Sequence, residues 1–175
     1  MSLAQTWATF KLLHLSKPAG DRCLYKSVRG QTVASVLEIN LAGLDRTTRL
    51  IDWLRQQGNE GPIRYAAIDL FEMAEDGHGV GLKTFHQKLS ALGVKPLPIP
   101  GTPAQGLPRV ANTLGAIDLV VFDADQQQLD DPLLQTLLNR VTHQKSILLA
   151  RDARGAFQLH GTDRLQASGG QSRVA

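Results

Sequence analysis

The sequence predicts an α/β three-layer sandwich, a mostly parallel sheet of five or six strands between layers of helices, with an added N-terminal helix. Three observations predict it. Short apolar, β-branched runs at 36–39, 64–71, 117–125 and 146–150 alternate with stretches whose apolar residues recur every three or four positions. The run from Ile117 to Phe122 has a continuous apolar centre, suited to a strand covered on both faces. The 175 residues are enough for one domain with a full core, and 42% apolar with 20% charged residues is the composition of a chain that folds.

The elements follow in order. Ser2 and Gln5 form a capping-box pattern, and Leu3, Trp7, Phe10 and Leu13 lie at helical spacing, so an amphipathic helix is expected to end before Pro18. Residues 18–32 read as a connecting segment with a short helical turn at 22–27. Val36, Leu37 and Ile39 make a buried strand, residues 40–44 a turn, and Asp45 is placed to cap a helix carrying Leu50, Ile51 and Leu54 on one face. A second strand, 64–71, contains the acid Asp69 near its end, and a loop rich in acids and glycines, 72–81, leads to a helix marked by Leu82, Phe85, Leu89 and Leu92 and stopped at Gly93. The third strand, 95–101, carries prolines at 96, 98 and 100 and so belongs at a sheet edge. Leu107, Val110, Ala111 and Leu114 mark a short helix, and 117–125 is expected to be central. Asp130, Asp131 and Pro132 open another helix with acids at its positive end. Residues 146–150 form the fifth strand, 156–160 a strand returning along it, and 166–175 a frayed tail. The organisation is an N-terminal helix and connecting segment at 1–34, the α/β body at 35–165 and the tail, one domain overall.

Charge and composition narrow the function classes. Residues 1–35 hold five Lys or Arg against one acid, 36–142 nine against thirteen, and 143–175 five against two. The basic residues lack interleaved aromatic pairs, so solvated surface is expected rather than nucleic-acid binding. No apolar run approaches a membrane span, no signal peptide is evident, and a single cysteine, Cys23, fits a reducing compartment. The expectation is a cytoplasmic protein acting on a small molecule, with a homodimer left open. His14, His78, His86, His143 and His160 are scattered, and none is assigned as a catalytic base.

From about Ser35 to Ala150 the chain resembles the class I S-adenosylmethionine-dependent methyltransferases, which have a Rossmann-like fold. The resemblance rests on Val-Leu-Glu-Ile at 36–39 with its turn, on Tyr-Ala-Ala-Ile-Asp-Leu-Phe-Glu at 65–72, and on Ile-Asp-Leu-Val-Val-Phe-Asp-Ala-Asp at 117–125. It implies S-adenosylmethionine as cofactor. It also implies that Glu38 supports the methionine end, that Asn40, Ala42 and Gly43 line the turn, and that Asp69 with Leu70 beside it takes the ribose. Gly101 and Thr102 would lie at the adenine, and the end of the fourth strand at Asp123 would border the transferred methyl group.

Three departures matter. Asn40, Ala42 and Leu44 stand where the family's turn has glycines, which permit positive φ and close backbone approach, and Leu44 is expected to crowd the start of the helix. Thr102 follows Gly101 where the family commonly has an acid, and the end of the family's sheet is missing or shortened. Two readings stand: methyl transfer to a small molecule, or a non-catalytic methyltransferase-like binding or dimerisation module. A metal-dependent version would use the acids at 122–125, as in catechol-type O-methyltransferases, but Gln126 replaces the basic residue those enzymes carry next and only Asp152-Ala153 stands for their later Asp-Asn pair. Structural acids are the expected account, with no metal. A dinucleotide-binding domain is disfavoured because the turn lacks the G-x-G-x-x-G spacing.

Overall fold

The computed structural model describes residues 7, 9–15, 18–74 and 79–161. Ser2, Leu3, Gln5, His78 and the tail lie outside these residues. Six strands form one sheet: β1 (Ser35–Ile39), β2 (Ile63–Asp69), β3 (Val94–Pro100), β4 (Leu119–Asp125), β5 (Ile147–Arg151) and β6 (Phe157–His160). Their order is β3-β2-β1-β4-β5-β6; the first five run parallel and β6 returns antiparallel to β5. The proline-bearing β3 is at an edge and β4 is central, as the sequence predicts. The helices are α1 (Arg22–Ser27), α2 (Leu44–Gln56), α3 (Leu82–Ala91), α4 (Pro103–Thr113), α5 (Gln126–Leu129) and α6 (Pro132–Val141).

Strand parity divides the core into two layers, because successive side chains leave opposite faces of a sheet. Val36, Tyr65, Ala67, Leu119 and Val121 face α1, α2 and α3, whose Leu24, Tyr25, Leu50, Ile51, Trp53, Leu54, Phe85 and Leu89 cover them. Leu37, Ile39, Ala66, Ile68, Val120 and Phe122 face the other way, against Leu107, Val110, Leu134, Leu137 and Leu138 of α4 and α6. Helix α4 lies close on β2 at Gly106, where an added Cβ would stand 2.7 Å from Ile68 carbons. A side chain there would force the helix off the sheet.

Three local expectations are corrected. Asp45 does not cap α2: Gly43 is the N-cap, and Asp45 sits exposed in the first turn, 3.7 Å from the Lys88 ammonium. Helix α4 starts at Pro103, four residues before the first apolar marker, and runs through Pro108. In the N-terminal segment the chain widens into a π turn at Lys11–Leu15, which shifts the apolar stripe: Leu13 is buried, whereas Trp7 and Phe10 are exposed and stack on each other at 5.8 Å. The connecting segment is part of the core, since Leu24, Tyr25 and Val28 are fully buried and the Trp53 indole N–H donates to the Tyr25 carbonyl at 2.9 Å.

At the opposite end of the sheet from the β1 turn, Asp118 ties the starts of β1 and β4 to the loop that leads into β5. Its Oδ2 accepts the N–H groups of Ala34 and Ser35 and the Ser35 hydroxyl at 2.8–2.9 Å, and its Oδ1 lies 3.2 Å from His143 Nε2. His143 Nδ1 accepts the Lys145 N–H at 3.1 Å, so the ring proton is on Nε2 and points at Asp118. Burial alone would raise the Asp118 carboxyl, but the hydrogen bonds from Ser35, the Ala34 N–H and His143 outweigh it and hold it below its ordinary 3.8.

Because that folded-state value is depressed, the stabilisation is present above the ordinary carboxylate range and lost as pH falls through the lower folded value. Asp118→Asn should melt below wild type at pH 7, and the gap should narrow as pH drops under about 4; a gap constant over pH 3–7 would show that the charge is not what matters. Gly106→Ala should cost about 1–3 kcal/mol in a denaturant melt, from overpacking against Ile68.

Candidate functional site

The site expected at the carboxyl ends of β1, β2 and β4 begins with the turn from β1 into α2. Asn40 donates its N–H to the Ile68 carbonyl at 2.9 Å and adopts φ 61°, and Gly43 adopts φ 114°. The left-handed positions are thus 40 and 43, while Ala42 and Leu44 take ordinary conformations. Asn is one of the few non-glycine residues that tolerates this region. The expectation that Leu44 crowds the start of the helix is corrected, because its side chain is buried in the core layer under α2. Ala42 is exposed on the turn.

Parity decides what happens to the acids. Glu38 and Asp123 lie on the same face of the sheet as Val36 and Val121, beneath the first turn of α2, and that turn carries Arg46 and Thr47. Arg46, only 4% exposed, donates to Glu38 Oε1 from Nε at 2.8 Å and from Nη2, and to Asp123 Oδ2 from Nη1. Thr47 donates to Glu38 Oε2 at 2.8 Å, and the Tyr65 hydroxyl donates to the same oxygen. Burial and the Glu38 charge push the Tyr65 hydroxyl well up, which keeps it a donor. Burial would lower the Arg46 guanidinium, yet Glu38 and Asp123 outweigh it and hold the guanidinium above its ordinary value.

A second arginine completes the network. Arg151, at the end of β5, donates from Nε to Asp123 Oδ1 and reaches Asp21 at 3.4 Å. Both guanidinium groups lie over the Phe157 ring, Arg46 at 5.3 Å and Arg151 at 4.3 Å from its centre. Burial would raise Asp123, but Arg151 and Arg46 pull it below the usual carboxylate value. Asp21, 1% exposed, is pushed up by burial against the pull of Arg46, Arg151 and Arg49.

The other half of the site is arranged differently. Asp69 stands half-buried at the tip of β2, its Oδ2 accepting the Leu41 N–H and its Oδ1 the Phe71 N–H, both at 2.7 Å. Phe71 has φ 51°, an uncommon conformation for a bulky residue, which drives its ring into the core and leaves Leu70, at 43% exposed, beside the carboxylate. Gly101 donates its N–H to the Asp69 carbonyl at 2.9 Å, so Gly101 and Thr102 lie next to Asp69. The Thr102 N–H is taken by Gln105 Oε1 at 3.1 Å, and Thr102 borders a cleft of about 280 Å³ lined also by Leu133 and Leu134.

The structure therefore brings Glu38 and Asp123 together through Arg46, and groups Asp69, Leu70, Gly101 and Thr102 one strand away. Arg46, Thr47, Tyr65, Arg151 and Asp21 escaped the reading of the sequence. A signal for Arg46 was present: a cation in the first turn of a helix opposes the helix dipole and calls for a specific acidic partner. Asp152, considered with a metal, folds the β5–β6 turn by accepting the Arg154 and Ala156 N–H groups at 2.9 Å. Among the described residues no group of three or more His, Cys, Asp or Glu is placed to hold a metal ion. No helix among them is long and apolar enough to cross a membrane.

No model of a protein family matches the sequence, and no curated protein matches it. Solved structures are similar to it. A candidate protein-L-isoaspartate O-methyltransferase from Plasmodium falciparum, in complex with S-adenosyl-L-homocysteine, superposes with a TM-score of 0.51 at 12% identity, over 76% of this chain and 57% of that one. A methyltransferase from Podospora anserina bound to S-adenosylhomocysteine gives 0.49 at 14% identity, over 86% and 62%. The chain thus spans less than two thirds of the length of either. At these identities the likeness concerns the fold alone, and the fold is the Rossmann-like one of the class I S-adenosylmethionine-dependent methyltransferases.

Removing Arg46 strands Glu38 and leaves Asp123 to Arg151 alone. Arg46→Met should cost about 3–5 kcal/mol, the range for breaking a buried ion pair. Adding Glu38→Gln to that variant should recover part of the loss, and a double-mutant cycle on the melts measures the coupling. Strict additivity would mean that the two groups do not sense each other.

Proposed function

We propose that the chain is a degenerate relative of the class I methyltransferases, a non-catalytic module rather than an enzyme that transfers methyl groups. The observation that carries this reading is Arg46, buried and bonded to both Glu38 and Asp123. By resemblance these two acids flank the methionine end of the cofactor and the methyl group. Two buried carboxylates require a cation. In this chain the guanidinium supplies it from within, so the acids that the resemblance assigns to the methionine half are already paired. Freeing those acids for a cofactor would mean breaking their bonds to Arg46, at a cost of several kcal/mol taken out of the binding free energy. The nucleoside half of the cofactor suits the residues present, and the methionine half does not.

A second reading, methyl transfer from S-adenosylmethionine to a small molecule, is favoured by the turn. Asn40 and Gly43 keep the left-handed backbone that lets a ligand approach, and Asp69 is held at the tip of β2. Chemistry on an activated sulfonium asks little of the protein beyond alignment and exclusion of water, so the absence of an assigned base does not decide between the two.

Calorimetric titration with S-adenosylmethionine and S-adenosylhomocysteine separates them. The module reading expects little or no binding of either by the wild type, and a larger rise in melting temperature on adding S-adenosylmethionine to Arg46→Ala than to wild type, because the cofactor then supplies the missing charge. Tight binding by the wild type, weakened in Glu38→Gln, would overturn the module reading in favour of the enzyme.

A further inference from the structure

We propose that the outward side of the N-terminal segment is a docking surface for an anionic lipid bilayer. It does not depend on how Arg46 is read. Leu13 is buried in the core layer and Leu12 packs against it, which fixes the segment on the body. Trp7, Phe10 and Leu15 stay 58%, 47% and 55% exposed. Among the described residues, no other three exposed large apolar side chains stand so close in the chain. The rings are contiguous: Trp7 stacks on Phe10 at 5.8 Å, and Phe10 lies 4.9 Å from His14. The π turn carries Leu15 one turn beyond Phe10. A surface segment ordinarily turns its polar side outward, so one that presents its largest apolar side chains marks a contact.

Charge decides what covers it. The Lys11 ammonium lies 5.6 Å from the centre of the Trp7 ring, so a cation is built into the aromatic patch. Helix α1, which packs against the segment, exposes Lys26, and Arg29 beyond it is exposed as well. The one acid of residues 1–35, Asp21, is 1% exposed and held by Arg49 and Arg151. Asp52 of α2 is exposed beside Leu12, but Arg49 lines the same groove. The surface is therefore aromatic and basic. An indole with its polar edge, and a lysine with an apolar stem under its ammonium, suit the boundary between anionic headgroups and acyl chains. A second copy suits it less, because a two-fold contact would bring one basic patch against another. A nucleic acid suits it less too, since the ring faces on which bases would stack already carry Phe10, His14 and Lys11. No helix among the described residues is long and apolar enough to cross a bilayer, so the contact is one of lying on the surface.

The test is sedimentation of the whole chain with vesicles of phosphatidylcholine alone and of phosphatidylcholine mixed with phosphatidylglycerol, in about 0.1 M salt. The expected result is binding to the anionic vesicles about tenfold or more tighter than to the neutral ones, weakening as salt is raised. Trp7→Ser should lower that binding about tenfold while its melting temperature stays within a few degrees of wild type, and Lys11→Gln should lower it about fivefold on anionic vesicles only. Should Trp7→Ser fail to fold, Phe10→Ser tests the apolar contact instead, with the same direction expected. Bound vesicles should also move the tryptophan emission to shorter wavelength, a shift that Trp53, already buried in the core, does not supply. Equal binding to both kinds of vesicle, or binding to neither by a monomer, would overturn the proposal. A dimer that Trp7→Ser dissociates, with no vesicle binding, would overturn it in favour of a second copy, and tighter binding of a single-stranded RNA oligonucleotide than of vesicles would overturn it in favour of a nucleic acid. Vesicle binding indifferent to all three substitutions would place the lipid contact elsewhere and overturn it as well.

Discussion

The guanidinium of Arg46, held between acids from two neighbouring strands, is the interaction on which the rest of this structure depends. A charge this deeply buried persists only where its partners leave none of its donors wanting. Meeting that condition draws in residues from across the chain: Glu38 from β1, Asp123 from β4, Tyr65 from β2 to satisfy the far side of Glu38, and Arg151 from β5 to satisfy the far side of Asp123. Phe157 from β6 covers both arginines, and Asp21 from the N-terminal segment receives Arg151. The sheet is thus tied at its carboxyl end by charge, and at its two faces by apolar packing.

In a cofactor-binding protein the strand ends are where binding energy is stored, as charges and donors left unmet until the ligand arrives. Here Glu38 and Asp123 are met by side chains of the protein itself. Acids paired within the chain lower the cost of their own burial. At the tip of β2 Asp69 is steadied by backbone rather than by side chains.

Much of this was legible in the residues and some was not. The strand and helix alternation, the edge position of β3 and the central place of β4 follow from local pattern, because apolar periodicity and proline report directly on burial and pairing. Glu38, Asp69 and Asp123 were identified as acids at strand ends for the same reason. Their partners were not, since Arg46 meets Asp123 across 77 positions and Arg151 meets Asp21 across 130. Pairings of that separation are set by the tertiary fold, which local pattern does not encode. The turn shows a subtler limit. Its glycine count suggested lost backbone freedom, yet Asn40 carries one left-handed position and Gly43 another, and Leu44 serves the core. What mattered was which positions need positive φ. The outward Trp7 and Phe10 have a similar origin, because a π turn changes the angular step on which a helical stripe is read.

The prolines of β3 carry a consequence of another kind. The Gly101 N–H points at β2, so by alternation the odd positions of this strand face inward and Pro96, Pro98 and Pro100 face the open side. A strand needs donors on its rim to recruit another, and here three successive outward positions have none. The sheet is consequently a ribbon with one sealed margin. Any strand added to it by a second polypeptide must dock beside β6, whose direction would then fix that polypeptide's orientation.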